Sequence, residues 1–278
     1  MIDLHQEVSM KCSRLTTKAY STSFALGIRF LAKDLRDPIY AVYGFVRFAD
    51  EIVDTFHGYD KKTLLKKFKE DTDHAIDIGI SLNPILHSFQ KVVNKYGIDR
   101  GCIETFLESM RMDLFKREFS TGEYEEYIHG SAQVVGLMCL SVFVRGNAAE
   151  YKRLKPFAMK LGSAFQKINF LRDIQADYSD LGRSYFPGVE VKEFNDDYKK
   201  EIEADIEKDF KMGYTGIKQL PRDTRFGVLI AYVYYYQLFL KIKRKHPHDI
   251  MSGRVRISNQ RKFALLCGSY VKHSFNLL

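Results

Sequence analysis

The chain has 278 residues, 45% of them hydrophobic and 28% charged, and a formal net charge of +8. That length and apolar share suit one large domain with a sizeable core, and the absence of linkers, repeats and low-complexity tracts excludes a modular or disordered chain. Four cysteines, Cys12, Cys102, Cys139 and Cys267, lie far apart without a CxxC pair, which argues against a disulfide framework and a zinc site.

Only six prolines interrupt long periodic stretches, and β-branched runs bounded by Asn-Gly or Asp-Gly turns are missing, so the pattern is all-α, with one domain over residues 1–278. In chain order, helices are predicted near residues 4–20, 38–55, 61–78, 84–95, 100–114, 123–145, 149–177, 197–218, 221–245 and 258–273. Asp37 before Pro38 reads as an N-cap followed by a first-turn proline. Pro84, Pro156 and Pro221 also read as opening-turn prolines, with a kink as the alternative at Pro156. The 182–194 stretch, with Pro187 and two glycines, reads as a loop of the kind that often carries function.

Two short acidic runs carry the chemistry. In the predicted 38–55 helix the apolar stretch Ile39 to Val46 leads into Arg47, Asp50, Glu51 and Asp54, whose spacing of i, i+3, i+4 and i+7 puts them on one stripe. Ionised groups on a buried helix need partners or a metal. An Arg47 salt bridge to Asp50 or Glu51, with the rest solvated, is the plainer alternative. The second run has the same grammar: Gln166, Asn169, Asp173 and Asp177 follow one face, and Arg172 is near enough to reach the same cavity. Facing pairs of carboxylates make a site for a hard cation. Mg²⁺ is usually held by one or two carboxylates plus substrate phosphates, so the implied substrate carries a phosphate or diphosphate. Amides and a guanidinium beside the carboxylates suit such a group. The expected metal ligands are Asp50, Glu51, Asp54, Asn169, Asp173 and Asp177, with Mg²⁺ as the ion and Mn²⁺ as a substitute.

The segments Tyr20-Ser21-Thr22-Ser23-Phe24, Arg47 to Asp54, Val135-Gly136-Leu137-Met138 and Gln166 to Asp173 together resemble the squalene and phytoene synthases, over roughly residues 8–268. The continuation from Asp177 through Arg183, Tyr185 and Pro187 is similar to that family's loop closing the site. The resemblance implies an isoprenoid synthase helical bundle around a central apolar cavity. It adds Ser21, Ser23 and Phe24 at the entrance for the diphosphate and first isoprene unit, and Tyr127, Tyr235, Arg254 and Lys262 as later contacts to the diphosphate or its metals. For Tyr235 a one-residue slip among Tyr234, Tyr235 and Tyr236 changes the choice. The resemblance thus assigns catalysis to Arg47, Asp50, Asp54, Tyr127, Asp173 and Asp177, and substrate binding to Ser21, Ser23, Phe24, Arg47, Gln166, Asn169, Arg172, Tyr235, Arg254 and Lys262. Two positions depart from the family pattern: Gln133 stands where Gly is common, which leaves the tunnel shape open, and Lys167-Ile168 replaces Leu-Thr off the carboxylate stripe.

The first acidic motif is closer to the phytoene synthase form. The resemblance therefore implies head-to-head condensation of two geranylgeranyl diphosphates to 15-cis-phytoene in carotenoid biosynthesis, without NADPH. Squalene or dehydrosqualene synthase acting on two farnesyl diphosphates is the alternative. A di-iron bundle is disfavoured because only Asp54-x-x-His57 and Asp71-x-x-His74 are present, with the wrong acid. A non-enzymatic lipid binder leaves the two carboxylate stripes unexplained. The basic residues, densest at Lys241, Lys243, Arg244, Lys245, Arg254, Arg256, Arg261 and Lys262, accompany no nucleic-acid motif, so no nucleic acid is expected. Peripheral contact with an anionic membrane suits a hydrocarbon product better. Residues 1–10 do not read as a secretory signal, and the longest uncharged run, Phe226 to Leu240, is shorter than the roughly 20 residues of a span. A cytoplasmic enzyme, peripheral at the inner face of the membrane, is expected; the patterns leave its oligomeric state open.

Overall fold

The structure, a computed structural model, describes residues 2–188 and 194–274. The helices are α1 (Ile2–Tyr20), α2 (Thr22–Arg29), α3 (Lys33–Asp54), α4 (Lys61–Ile78), α5 (Pro84–Tyr96), α6 (Arg100–Phe115), α7 (Thr121–Ile128), α8 (Val134–Phe143), α9 (Ala148–Leu181), α10 (Asp196–Gln219), α11 (Arg222–Lys243), α12 (Pro247–Met251) and α13 (Asn259–Ser274). A π-helical turn, His129–Gln133, joins α7 to α8. Among the described residues there is no strand, only an isolated bridge between Glu118 and Ser184.

Local chemistry sets most boundaries. The Asn83 side chain accepts hydrogen bonds from the amides of Ile85 and Leu86 ahead of α5, and Pro84 occupies the first turn where its missing N–H costs nothing. Gly79 and Gly97, at φ 74 and 62, end α4 and α5 in the left-handed conformation that glycine adopts freely.

Pro38 and Pro156 do not open helices. α3 starts at Lys33, because fully buried Leu35 extends the apolar face backwards and the Ala32 amide is anchored on the Asp223 carbonyl at 3.0 Å. Asp37 therefore lies inside the helix, where its carboxylate accepts from Arg14 at 2.6 Å instead of capping. α9 starts at Ala148 under an Asn147 cap, and its 34 residues continue through Pro156. The expected 123–145 helix is interrupted by the π-helical turn, and α2 and α12, of 8 and 5 residues, are too short for periodicity to reveal. Part of the predicted 182–194 loop, residues 189–193, lies outside the described residues.

Two apolar clusters form most of the interior. One centres on Phe45, stacked 3.9 Å from Phe89, and the other on Ile168, Ile206, Phe210 and Phe239. Members of both line a cavity of about 600 Å³ enclosed by α2, α3, α6, α8, α9, α10 and α11. α2 reaches its place because glycine allows close approach: a Cβ on Gly227 of α11 would lie 2.8 Å from the Gly27 carbonyl. α9 and α10 are tied by buried charge. Lys167 pairs with Asp205 and lies 2.6 Å from Asp209, whose other oxygen is 2.8 Å from Lys160. The family departure at Lys167 is thus a structural ion network facing away from the cavity. No helix among the described residues is long and apolar enough to cross a membrane.

Candidate active site

The cavity has a polar mouth and an apolar depth. Asp50 and Asp54 of α3 and Asp173 and Asp177 of α9 all line the mouth, and so do Arg47, Arg172, Arg254, Gln166 and Asn169. The i, i+4 spacing in each run accomplishes this, because one helical face carries both carboxylates towards the same space.

On the α3 side, Arg47 donates to Asp50 at 3.2 Å and to Glu51, and its guanidinium lies 4.4 Å from the centre of the Tyr20 ring. Burial, and next the Asp54 carboxylate, push the Asp50 carboxyl up to about 7. On the α9 side, Asp173 is held between two guanidinium groups, with Arg172 Nε at 2.9 Å and Arg254 Nε at 2.7 Å. Asp177 has no ion pair among the described residues, and burial followed by the Asp173 and Asp54 charges raises it to about 7. Asp50, Asp54, Asp173 and Asp177 all border one cavity, so the two acidic helices open onto the same mouth.

Below the carboxylates, aromatic rings begin the apolar wall. Tyr235 stacks on Phe165 at 4.1 Å and donates to Asn169 Oδ1 at 3.3 Å, while Phe24 lies 5.8 Å from both Tyr235 and Tyr43. Tyr235, not its neighbours, is therefore the wall residue: Tyr234 donates to the Lys262 carbonyl and Tyr236 packs on Phe210. Ser21 lines the cavity while capping α2, its Oγ accepting from the Phe24 amide at 3.2 Å.

Three expected site residues stand off the wall. Ser23 is on the first turn of α2 but not among the lining residues. Glu51 is occupied by Arg47 and by the Thr55 hydroxyl at 2.7 Å, which gives it to the flank of α3. Lys262 of α13 lies 3.4 Å from the Thr22 hydroxyl at the outside of α2. Gln133 also leaves the wall: its amide donates to Ser163 Oγ at 2.8 Å, so the departure from glycine there is absorbed by α9 and Ser131 and Ala132 face the cavity instead.

Sequence reasoning missed a second polar group at the mouth. Asp113 of α6 is buried and accepts from Tyr127 at 2.6 Å and Tyr185 at 3.2 Å, with Arg183 3.6 Å away. Burial raises its carboxyl to about 6 against the opposing pull of Arg183. Arg183 also donates to Asp54 at 3.1 Å, so the segment after α9 reaches back across the mouth to the first acidic helix. Tyr127 thus holds Asp113, and Tyr185 stacks on Phe170 at 4.1 Å above it. The available signal for Asp113 was its place on the same helical face as Phe106 and Met110, opposite the Glu108 and Arg111 pair. Together five carboxylates and four guanidinium groups line the cavity among the described residues.

An all-helical bundle whose acidic helices open onto an apolar cavity is the architecture of the isoprenoid synthases. The family model for squalene/phytoene synthase matches residues 17–261, and the chain belongs to that family, whose members are enzymes of the prenyltransferase type. It is 25% identical to the 15-cis-phytoene synthase of Synechococcus elongatus, over 94% of this chain and 91% of that protein. It is 27% identical to the phytoene synthase of Rhodobacter capsulatus, over 95% and 81%. Among solved structures, a dehydrosqualene synthase superposes with a TM-score of 0.82 at 22% identity, over 96% of this chain and 98% of that one. A squalene synthase from Alicyclobacillus acidocaldarius gives 0.74 at 20% identity, over 87% and 95%. At these identities the two structures speak for the fold.

Proposed function

We propose that this enzyme is a Mg²⁺-dependent 15-cis-phytoene synthase, joining two geranylgeranyl diphosphates head to head through a cyclopropyl diphosphate and releasing diphosphate. The supporting observation is the arrangement of the cavity: Asp50, Asp54, Asp173 and Asp177 at the mouth, above a long wall of aromatic and aliphatic side chains. The phytoene synthase names of relatives aligned over nearly the whole chain favour the longer substrate.

The residues fit a divalent cation. Among the described residues no three His, Cys, Asp or Glu side chains are grouped to hold a metal by themselves, so diphosphate oxygens would have to complete its coordination. Two raised carboxylates lining one cavity call for positive charge, and an incoming diphosphate adds further negative charge. Asp50, Asp54 and Asp177 would hold the ions, with Asn169 and Asp173 beside them. Bound magnesium supplies charge neutralisation for the departing diphosphate.

The chain's own groups do the rest. Arg47, Arg172 and Arg254 offer forked donors to phosphate oxygens, and Arg172 and Arg254 can pass from Asp173 to the substrate without leaving the mouth. As the carbon–oxygen bond breaks, its electron pair leaves with the diphosphate and an allylic cation remains. The faces of Phe24, Tyr43, Phe165 and Tyr235 border the space beneath, where they stabilise positive charge and exclude water. The double bond of the second substrate then attacks, and loss of a proton closes the cyclopropane. A second ionisation, rearrangement and proton loss give the central double bond without a reductant. The reading carries with it peripheral contact with the membrane that receives the hydrocarbon.

Purified protein incubated with Mg²⁺ and geranylgeranyl diphosphate is expected to yield a forty-carbon hydrocarbon without NADPH. A thirty-carbon product from farnesyl diphosphate, with none from the twenty-carbon substrate, would replace this reading with squalene or dehydrosqualene synthesis.

A further inference from the structure

Three exposed aromatic rings gather beside the mouth. Phe56, Tyr59 and Phe115 are 39%, 73% and 55% exposed. The rings of Phe56 and Tyr59 are 6.4 Å apart in the turn that follows Asp54, and Phe115 ends α6 two residues after Asp113. Lys62, in the first turn of α4, joins the two groups, its ammonium 5.9 Å from the centre of the Phe115 ring. Arg111 lies at the same distance from that ring. Rings and cations thus form one patch on the rim of the cavity.

The patch is continuous with the mouth. Lys61 Nζ donates to the Val53 carbonyl at 2.9 Å, next to Asp54. The Arg117 carbonyl accepts from the Ser184 amide at 2.7 Å, in the segment that carries Arg183 to Asp54. Its charge is one-sided. Lys61, Lys62 and Arg117 form no ion pair among the described residues, whereas Asp60 is engaged in the α4 cap and Asp113 is buried, so Glu118 is the one remaining acid in residues 55–62 and 111–118.

A second exposed apolar cluster differs in each respect. Ile78, Ile80 and Leu82 lie at the far end of α4, beside the start of α1, where His5 is 3.0 Å from the Ser81 carbonyl. These side chains are aliphatic, and Lys11 of α1 is paired with Glu7. The length of α4 puts them roughly 25 Å from Lys61.

Chemistry decides the occupant of the rim patch. Exposed rings among unpaired cations fit an anionic bilayer, where rings settle between headgroups and acyl chains and lysine or arginine attracts phosphate. A prenyl diphosphate in that bilayer has its chain among the acyl chains and its diphosphate at headgroup level, and a hydrocarbon product stays in the lipid. A patch that begins beside Asp54 brings the mouth to the surface where both are held.

We propose that Phe56, Tyr59 and Phe115, with Lys61, Lys62 and Arg117, dock this enzyme on an anionic phospholipid bilayer with its mouth at the lipid surface. The choice of occupant rests on the prenyl diphosphate reading given above and assigns the membrane contact of that reading to named side chains.

Flotation with vesicles reads the docking without turnover. The wild type should rise with vesicles of mixed phosphatidylcholine and phosphatidylglycerol and much less with phosphatidylcholine alone, and salt should weaken the binding. Phe56→Ser, Tyr59→Ser and Phe115→Ser combined should lower the bound-to-free ratio by about tenfold or more, with the thermal midpoint kept because the rings are exposed. Tyr59→Ser alone, at the most exposed ring, should show part of that loss. Lys62→Gln with Arg117→Gln should remove the preference for anionic vesicles, and Ile80→Ser with Leu82→Ser should leave binding unchanged. A wild type that does not float, serine variants that float like the wild type, or loss of binding in the Ile80 and Leu82 variant would overturn the proposal. So would a wild-type dimer in light scattering that the serine substitutions dissociate, which marks an interface between copies. Should the wild type convert neither diphosphate yet float through these rings, the docking stands and the functional reading alone fails.

Discussion

α3 and α9 carry aspartates at the same spacing, yet the fold neutralises them differently. On α3, Asp50 is answered by Arg47 from its own helix and Asp54 by Arg183 from the segment after α9. On α9, both cations go to one residue, Asp173, and Asp177 is left to burial and repulsion. Equal spacing therefore does not mean equal pairing. The mouth has one arm whose carboxylates are each partly answered, and one arm divided between a neutralised acid and a raised one. An incoming diphosphate can draw Arg172 and Arg254 away from Asp173, which would then join Asp177 in holding cations.

The largest expected effect tests whether both arms serve catalysis. Asp50→Asn and Asp177→Asn should each lower Mg²⁺-dependent diphosphate release by about 10³-fold or more, with the helical circular dichroism retained. A loss of less than tenfold from one of them would confine the chemistry to the other arm.

Next comes the bridge between the arms. Arg183 has a side chain only 4% exposed and is shared by Asp54 and Asp113, so Arg183→Gln leaves the buried Asp113 carboxylate uncompensated. A destabilisation of about 3–5 kcal/mol is expected in chemical unfolding, the range for breaking a buried pair from one side. An unchanged midpoint would show that Asp113 takes up a proton instead.

The pH dependence follows from the raised carboxyls. Asp50 and Asp177, at about 7, and Asp113, at about 6, lie above the ordinary 3.8, so folding favours their protonated forms. Their contribution to stability is full below pH 4 and is lost as pH rises through 6 and 7. Thermal scans of the metal-free protein should therefore show this decline between pH 4 and 7, and Mg²⁺ with diphosphate should reverse it most at pH 7. Asp177→Asn should flatten the decline.

The smallest effects separate the wall from its surroundings. Arg254→Gln should raise KM roughly tenfold through the lost phosphate contact. Lys262→Ala and Ser23→Ala, off the wall, should change kcat/KM by less than about twofold. Equal effects of Arg254→Gln and Lys262→Ala would mean that α13 closes onto the diphosphate during turnover.

Most of the scaffold was legible because long helices repeat their apolar positions. The 61–78 helix was read to the residue, since Asp60 caps it and Gly79 ends it. The Asp50/Asp54 and Asp173/Asp177 faces were equally readable, as helical geometry alone puts both acids of each run on one side. α2 was missed because eight residues give only two turns of pattern, and the π-helical turn because His129–Gln133 carries no local cue for widening. Asp113 was not singled out, and Arg183 and Tyr185 were read only as part of a loop closing the site, because the partnership of Asp113 with Tyr185 spans 72 residues of sequence and only packing brings them together.

By itself the sequence determined an all-helical chain and the faces its acids occupy, both of which depend on spacing along a helix, and its motifs from four distant segments carried the resemblance to the family. Tertiary structure decided which aspartate receives which arginine and which of three adjacent tyrosines reaches the cavity. These depend on how helices from distant parts of the chain rotate and approach each other, and that outcome is set by the packing of side chains and the close contacts of Gly27, Gly130, Gly162 and Gly227.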